Sequence, residues 1–272
     1  MLAELDRQFP GVLDGAGLMA GAANVILQLA RPGVGYGVLE SRVEGGQIFR
    51  RPIKRTRTTL TYLAVALAGT AEEKRAYRQA VNKAHAQVYS SPQSPVQYRA
   101  FDPDLQLWVA ACLYWGFADT RQRLRGAPEP AQAAAFYERA AALGTTLQVR
   151  PERWPRDLVA YQAYWEQGLT QIRIDPPVRA YLTGIADLKF LPPLISWSLG
   201  PLNRFLTAGF LPPRVREAMH FSWGEKQQRR FDRVIRTIAF INGCLPRVVR
   251  QLPFIIVLWD FRRRLSKGMP LA

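Results

Sequence analysis

The chain has 272 residues, and its 37 lysines and arginines against 21 aspartates and glutamates give a net charge of +16. With 48% hydrophobic and 21% charged residues, its composition is that of a globular rather than a disordered protein. Two cysteines, Cys112 and Cys244, exclude a disulfide framework and a cysteine-rich zinc site, and two histidines, His85 and His220, exclude a multi-histidine metal cluster. The excess of positive charge favours an anionic partner.

The predicted elements are helical almost throughout. Residues 58–68 form an apolar helix ending at Gly69, and residues 70–89 form a helix opened by Thr70, with His85 in the middle of its apolar face. Asp102 caps a helix over 105–118 that is apolar on nearly all sides, which is typical of a buried central helix. Further helices are predicted over 129–143, 156–172, 177–188, 213–219, 226–241 and 246–265. Residues 33–43 and 47–49 could hold a short extended piece, with Gly33–Gly37 as a turn.

These patterns predict one all-α domain over residues 1–272, built round the central helix, with a basic helical region at about 213–272. The N-terminus is acidic where a signal peptide is basic, and no apolar run suits a transmembrane helix. The run over 190–213 is long enough, but five prolines and Arg204 break it. We therefore expect a cytoplasmic protein that could attach peripherally to a membrane.

The positive charge lies in two places. One is a cluster of arginines and a lysine over residues 50–57, and the other is the segment 204–272, which has 14 basic and four acidic residues and so a net charge of +10. The C-terminal charge could be a solvated face, a surface for anionic lipid or a surface for nucleic acid. Nucleic acid is the least favoured, because no recognition motif is visible and the aromatic residues lie on apolar helix faces.

His85 is the residue with the clearest capacity for cofactor chemistry. A lone histidine on an apolar helix face is more often a satisfied core residue than a ligand, and both interpretations stay open on periodicity alone. Haem iron, however, needs a single protein imidazole, apolar helix surfaces for the porphyrin and basic residues for the propionates. The Arg50–Arg57 cluster could supply the last of these. The sequence is therefore compatible with haem without being diagnostic of it.

Six segments, taken in order, resemble the haem-dependent oxygenase family that contains latex-clearing protein (rubber oxygenase) and the ER-bound oxygenase MpaB. The resemblance covers nearly the whole chain, although each segment alone is weakly specific. The segments are LQLARPGVGYGVLES (27–41), RTRTTLTYLAVALAGT (55–70), VNKAHAQVY (81–89), YRAFDPDLQLWVAACL (98–113), the pair FYERAAALG and WPRDLVAYQAYW (136–165), and FLPPRVREAMHFSW (210–223).

The resemblance implies roles for individual residues. The family pattern is an arginine, a threonine four residues on, and a haem-ligating histidine on the next helix, which Arg55, Thr59 and His85 match. His85 would be the proximal ligand of haem b iron, with Arg55 and Thr59 at the haem or its pocket. Their alternatives are a solvated charge just before a helix for Arg55 and a backbone-bonded hydroxyl for Thr59. Glu40 could correspond to a catalytic base of the latex-clearing branch, although a surface carboxylate is the better interpretation.

Two positions depart from the family pattern, and His220 is interpreted as structural. Thr58 stands where the latex-clearing branch has a lysine able to bind iron, and Trp108-Val109-Ala110-Ala111 stands where many members read Trp-Val-His-Ala. The resemblance implies oxidative cleavage of a C=C bond by haem b and O₂, in an apolar, isoprenoid or lipid-like (for example polyprenyl) substrate. The alternatives are a haem-binding carrier or sensor without turnover, and a basic membrane-associated helical protein without cofactor.

Overall fold

The chain folds as an assembly of α-helices in a computed structural model that describes residues 2–271, and within that range no β-strand occurs. The helices are α1 (Leu2–Gln8), α2 (Gly21–Leu29), α3 (Pro32–Leu39), α4 (Pro52–Ala68), α5 (Ala71–His85), α6 (Pro103–Arg125), α7 (Pro130–Ala140), α8 (Ala142–Thr145), α9 (Leu158–Thr170), α10 (Pro176–Ala186), α11 (Pro193–Phe210), α12 (Pro213–Ala218), α13 (Glu225–Cys244), α14 (Arg247–Arg250) and α15 (Leu252–Ser266). Short 3₁₀ helices occupy Gly15–Ala20, Glu44–Gly46 and Pro151–Arg153. The prediction of an all-α fold is confirmed.

The predicted central helix is α6, and local chemistry explains where it starts. The Asp102 carboxylate accepts hydrogen bonds from the backbone N–H groups of Asp104 and Leu105, and Pro103 takes the first helical position. Trp108 and its neighbours through Tyr114 are mostly buried. Helices α2, α8, α9 and α13 pack around α6, so it lies at the centre of a core that draws side chains from Leu5 to Phe261.

Helices α4 and α5 form the hairpin that carries the predicted site. The Thr70 hydroxyl accepts from the Glu73 N–H at 3.1 Å, and the Glu73 carboxylate accepts from the Thr70 N–H at 2.8 Å, which is a capping box. Arg262 of α15 donates to the same carboxylate at 2.6 Å. The start of α5 is therefore fixed both by its own cap and by the C-terminal helix, which packs along α4.

Three predictions about the backbone are wrong. The glycine-rich stretch 33–37 is neither extended nor a turn but lies in α3, where a Cβ on Gly35 would stand 2.6 Å from the Leu29 carbonyl oxygen, so glycine allows the close packing. Helix α5 ends at His85 instead of continuing to residue 89, because Val88 and Ser90 exchange backbone hydrogen bonds with the segment 98–100. The proline-rich stretch is not broken at Pro201 but forms the continuous helix α11.

A buried carboxylate joins the N-terminal segment to the C-terminal helices. The Asp14 side chain is fully buried and accepts from Arg125 at 2.8 Å and from the Asn242 amide at 2.6 Å. Arg250 lies 3.8 Å from the same oxygen. Removing one partner of a buried ion pair is strongly destabilising, because the other charge is left without compensation. Asp14 therefore holds the start of the 3₁₀ helix Gly15–Ala20 against the basic C-terminal region.

Candidate functional site

A cavity of about 1530 Å³ lies between the helices and is the setting of the candidate site. Its wall includes residues of α2, α3, α4, α5 and α6, together with the segment 147–149 and parts of α10, α11 and α15. Ordinary small-molecule pockets measure about 300–1,000 Å³. The cavity is therefore large enough for a bulky ligand, and most of its wall is apolar.

Arg55 projects from α4 into this cavity. It lies inside the helix, not just before it, because α4 begins at Pro52. Among the described residues its guanidinium has no hydrogen-bond or ion-pair partner, and burial lowers the pKa of Arg55 in spite of nearby Tyr77 and Tyr181. The residue is half-buried and lines the cavity. A cation that is partly removed from water and has no counter-ion is costly, so this wall of the cavity suits an anionic group.

His85 reaches the same cavity from α5. It is the last residue of that helix, and its ring is half-buried, edge-on to Phe101 with 6.1 Å between the ring centroids. Its Nδ1 atom is buried without a hydrogen-bond partner in the described part of the chain. Burial, and then the charge of Arg55, lower the pKa of His85, while the Gln148 side chain opposes them. The imidazole is therefore neutral at neutral pH, which is the form that binds metals.

Thr58 and Thr59 of α4 line the cavity, but their hydroxyls form hydrogen bonds within the helix. The Thr59 hydroxyl donates to the Arg55 carbonyl oxygen at 3.0 Å, and the Thr58 hydroxyl donates to the Lys54 carbonyl oxygen at 2.9 Å. The Thr58 carbonyl in turn accepts from the Tyr77 hydroxyl at 2.6 Å. This last hydrogen bond joins α5 to α4 and so helps to fix the relative positions of Arg55 on α4 and His85 on α5.

Three amide side chains beside His85 were not identified from the sequence. Gln106 donates to the Gln148 side-chain oxygen at 2.7 Å, and the Gln148 amide nitrogen donates to Asn82, one turn before His85 on α5. Gln106 belongs to α6, Asn82 to α5 and Gln148 to the segment after α8, so no local sequence pattern predicts that they meet. The Gln148 side chain also opposes the lowering of the His85 pKa, so this chain of amides ends beside the imidazole.

The remaining predicted positions lie elsewhere. Glu40 is exposed at the end of α3, outside the cavity wall, and its carboxylate accepts from the hydroxyls of Ser94 at 2.6 Å and Tyr98 at 2.8 Å. His220 is exposed after α12, with a positive φ of 58°. Cys112 is buried in α6, where burial raises the pKa of its thiol. Over residues 2–271 no cluster of three or more histidine, cysteine or acidic side chains could hold a bare metal ion.

Comparison with solved structures places the fold in a known class. The chain resembles latex-clearing protein in its closed state with a TM-score of 0.54, covering 97% of this chain and 71% of that one, at 17% sequence identity. Two curated mycobacterial relatives, uncharacterised proteins of Mycobacterium tuberculosis and Mycobacterium bovis, are each 49% identical over 247 residues, which is 91% of this chain and 97% of theirs.

The family assignment follows from the sequence match. Residues 11–240 match the catalytic domain of the ER-bound oxygenase mpaB/B′ and rubber oxygenase family, and the chain belongs to that family. The resemblance drawn from the six sequence segments is thereby confirmed. The matched range contains the whole α4–α5 hairpin and the central helix α6.

Proposed function

We propose that the protein is a haem b-dependent oxygenase that uses O₂ to cleave a C=C bond in an apolar isoprenoid or lipid-like substrate. The observation that carries the proposal is that an imidazole whose Nδ1 atom lacks a hydrogen-bond partner and a cation without a described counter-ion line one large cavity. These are the neutral His85 imidazole and the Arg55 guanidinium. Membership of an oxygenase family supports the reaction type.

The side chains at the cavity fit haem b. A single neutral imidazole suffices as the proximal ligand of haem iron, and the Nδ1 atom of His85 has no hydrogen-bond partner among the described residues. The Arg55 guanidinium suits a propionate carboxylate, with which it would form charge-assisted hydrogen bonds. The apolar stretches of α2, α4 and α6 on the cavity wall suit the porphyrin faces.

The protein's own contribution is binding and positioning. When bound, haem supplies the iron that activates O₂. His85 would hold the cofactor from α5 and Arg55 would neutralise a propionate from α4, while the Gln148 amide would restrain the imidazole. The apolar wall excludes water and orients the chain-like substrate. One O₂ supplies both carbonyl oxygens when a C=C bond is cleaved into two carbonyl groups, so no external reductant is needed.

The proposal leaves the other predicted site residues with narrower roles. Thr59 lies on the cavity wall, and its hydroxyl donates to the Arg55 carbonyl oxygen. We therefore assign Thr59 to shaping the pocket and not to chemistry. Thr58 is bonded to the backbone in the same way, and its hydroxyl does not replace a lysine ligand. We assign Glu40 to holding the segment 94–98 against α3 and not to proton transfer, because its carboxylate is bonded to Ser94 and Tyr98.

The two histidines allow a matched test of haem binding. Protein expressed with a haem supply should show a Soret band, and His85→Asn should lose the band or shift it strongly. His220→Asn is the control, because His220 is exposed, away from the cavity wall, and asparagine tolerates its positive φ. Equal haem content and identical spectra in wild type and His85→Asn would refute the ligand assignment.

Turnover separates an oxygenase from a haem carrier or sensor. Haem-loaded protein is incubated with O₂ and a polyprenyl substrate, and the products are analysed for aldehydes and ketones. We expect carbonyl products whose oxygen derives from ¹⁸O₂, and none from His85→Asn. A normal haem spectrum without products from a series of unsaturated lipids would favour the carrier or sensor, and a colourless wild-type protein would refute both.

A further inference from the structure

We propose that the surface formed by the end of α13, by α14 and by the start of α15 docks on the headgroup region of an anionic phospholipid bilayer. This proposal goes beyond the oxygenase function and does not depend on haem. It rests on an exposed apolar strip, on the charge of the segment that carries it, and on the way the opposite side of the segment is anchored in the core.

The apolar strip consists of large side chains that project into solvent from consecutive helices. Phe240 is 74% exposed, Val248 60% and Trp259 62%. The other members of the strip are Ile241, Val249, Leu252 and Ile256. Single exposed apolar residues are ordinary, but a run of them over neighbouring turns marks an interaction surface.

The strip does not result from loose packing, because the same helices are fixed on their inner side. The Asn242 amide donates to the buried Asp14 carboxylate at 2.6 Å. Phe254 and Leu258 are almost completely buried, and Phe254 reaches the wall of the large cavity. Inner contacts thus hold the outer side chains in place, as in a helix that lies flat in a membrane interface.

The charge of this segment suits an anionic surface. No aspartate or glutamate occurs between Asp232 and Asp260, whereas Arg233, Arg236 and Arg247 are exposed there. The Arg263 guanidinium lies over the Trp259 ring, 5.7 Å from its centroid. Exposed tryptophan beside arginine is typical of residues at the membrane–water interface, where the ring sits at headgroup level.

Helix α11 has exposed apolar side chains of its own. Its second half packs against the start of α13 through Phe205, Phe210 and Phe231, and on its first half Trp197 is 79% exposed, with Leu194 exposed one turn earlier. Within residues 2–271 no helix is both long and apolar enough to cross a bilayer. The arrangement therefore favours shallow insertion from one side.

A second copy of the chain is a poorer occupant than lipid. Packing the strip on itself about a two-fold axis would bring two arginine-rich, acid-free segments together, and like charges across an interface are repulsive. An anionic bilayer instead supplies the missing negative charge and an apolar layer for Phe240 and Trp259. We therefore commit to lipid and treat self-association as an outcome of the test.

Vesicle flotation tests the proposal on the full-length protein. We expect it to float with vesicles of phosphatidylcholine mixed with phosphatidylglycerol, to float much less with phosphatidylcholine alone, and to be released by high salt, which screens exposed charges. Val248→Asp should lower the partition coefficient at least about tenfold. Arg247→Gln should lower it about fivefold, the equivalent of about 1 kcal/mol for one basic residue near an anionic surface.

Val159→Asp is the matched control, because Val159 on α9 is 80% exposed and outside the proposed surface. It should float like wild type, and circular dichroism should show all variants equally folded. Failure of wild type to float, or equal losses in Val159→Asp and Val248→Asp, would overturn the proposal. A dimer in sedimentation velocity that Val248→Asp dissociates, without vesicle binding, would instead identify a second copy as the occupant.

Discussion

Replacing Arg55 by methionine should have opposite effects on the stability of the haem-free protein and on its affinity for haem. Arg55 is half-buried, lines the cavity and has no described counter-ion, and partial loss of water contact lowers its pKa. Its charge also disfavours protonation of His85. Methionine keeps a flexible side chain of similar length and removes the charge, so Arg55→Met isolates the electrostatic role.

The magnitudes follow from the setting of the side chain. Replacing a buried ion pair by apolar residues is often neutral or stabilises a protein by about 1–4 kcal/mol, and for the single, partly solvated charge of Arg55 we expect a gain of at most about 1 kcal/mol. Loss of a charge-assisted hydrogen bond costs about 1.5–3 kcal/mol. For a haem propionate this corresponds to a dissociation constant about 10- to 100-fold higher.

Two measurements check the prediction. Urea unfolding of the haem-free protein gives the stability, and titration with haem followed at the Soret band gives the affinity. Arg57→Met is the control, because Arg57 is on the same helix but does not line the cavity. If Arg55→Met destabilises the haem-free protein, or if its haem affinity equals that of Arg57→Met, the role assigned to Arg55 is wrong.

Three further variants probe contacts that fix the site and the fold. Burial raises the pKa of Glu73, but the hydrogen bonds from Arg262 and from the Thr70 N–H outweigh it, so the pKa is lowered. The stabilising contribution of the Glu73 carboxylate is therefore present above a pH of about 4.3 and is lost as the pH falls below it. Glu73→Gln should weaken this loss of stability at acidic pH, measured by urea unfolding, and should cost up to about 1 kcal/mol of stability at neutral pH. Asp14→Ala should cost about 3–5 kcal/mol in urea unfolding, because it strands buried partners, and a loss below about 1 kcal/mol would contradict the anchoring role. Gln148→Leu should lower the pKa of His85 further in an NMR titration of the haem-free protein, since the amide opposes the other shifts; an unchanged or raised value would contradict the contact.

Local chemistry made much of the fold predictable. Thr70 with Glu73, and Asp102 with Pro103, show where α5 and α6 begin, because caps act within one turn of the chain. The failures depend on distant contacts. Gly35 is helical because it packs on α2 and α10, and α11 passes through Pro201 while its second half, from Thr207 to Phe210, is held in the core.

The candidate site likewise combines residues that the sequence predicted with contacts that depend on distant parts of the chain. Arg55, Thr59 and His85 were identified because they match, in order and spacing, the pattern of the family that the sequence resembles, and all three line the cavity. Gln148 is 66 residues from the Asn82 amide that it contacts, and such a pairing leaves no signal in a single sequence. The sequence also could not show that the Nδ1 atom of His85 lacks a hydrogen-bond partner, because this depends on every element that surrounds the ring.

The size of the cavity itself bears on how the proposed reaction is organised. The cavity of about 1530 Å³ is partly open to solvent, so it is a cleft that a ligand could enter from outside and not an enclosed packing void. It also exceeds the usual upper range of about 1,000 Å³ for pockets that hold one small molecule. His85 and Arg55 occupy the part of the wall made by α4 and α5, whereas Asn24, Phe117 and Phe254 line a part made by α2, α6 and α15. Under the proposed function, the first part of the wall would hold the cofactor, and the second part, which includes the apolar rings of Phe117 and Phe254, would accommodate an elongated apolar substrate.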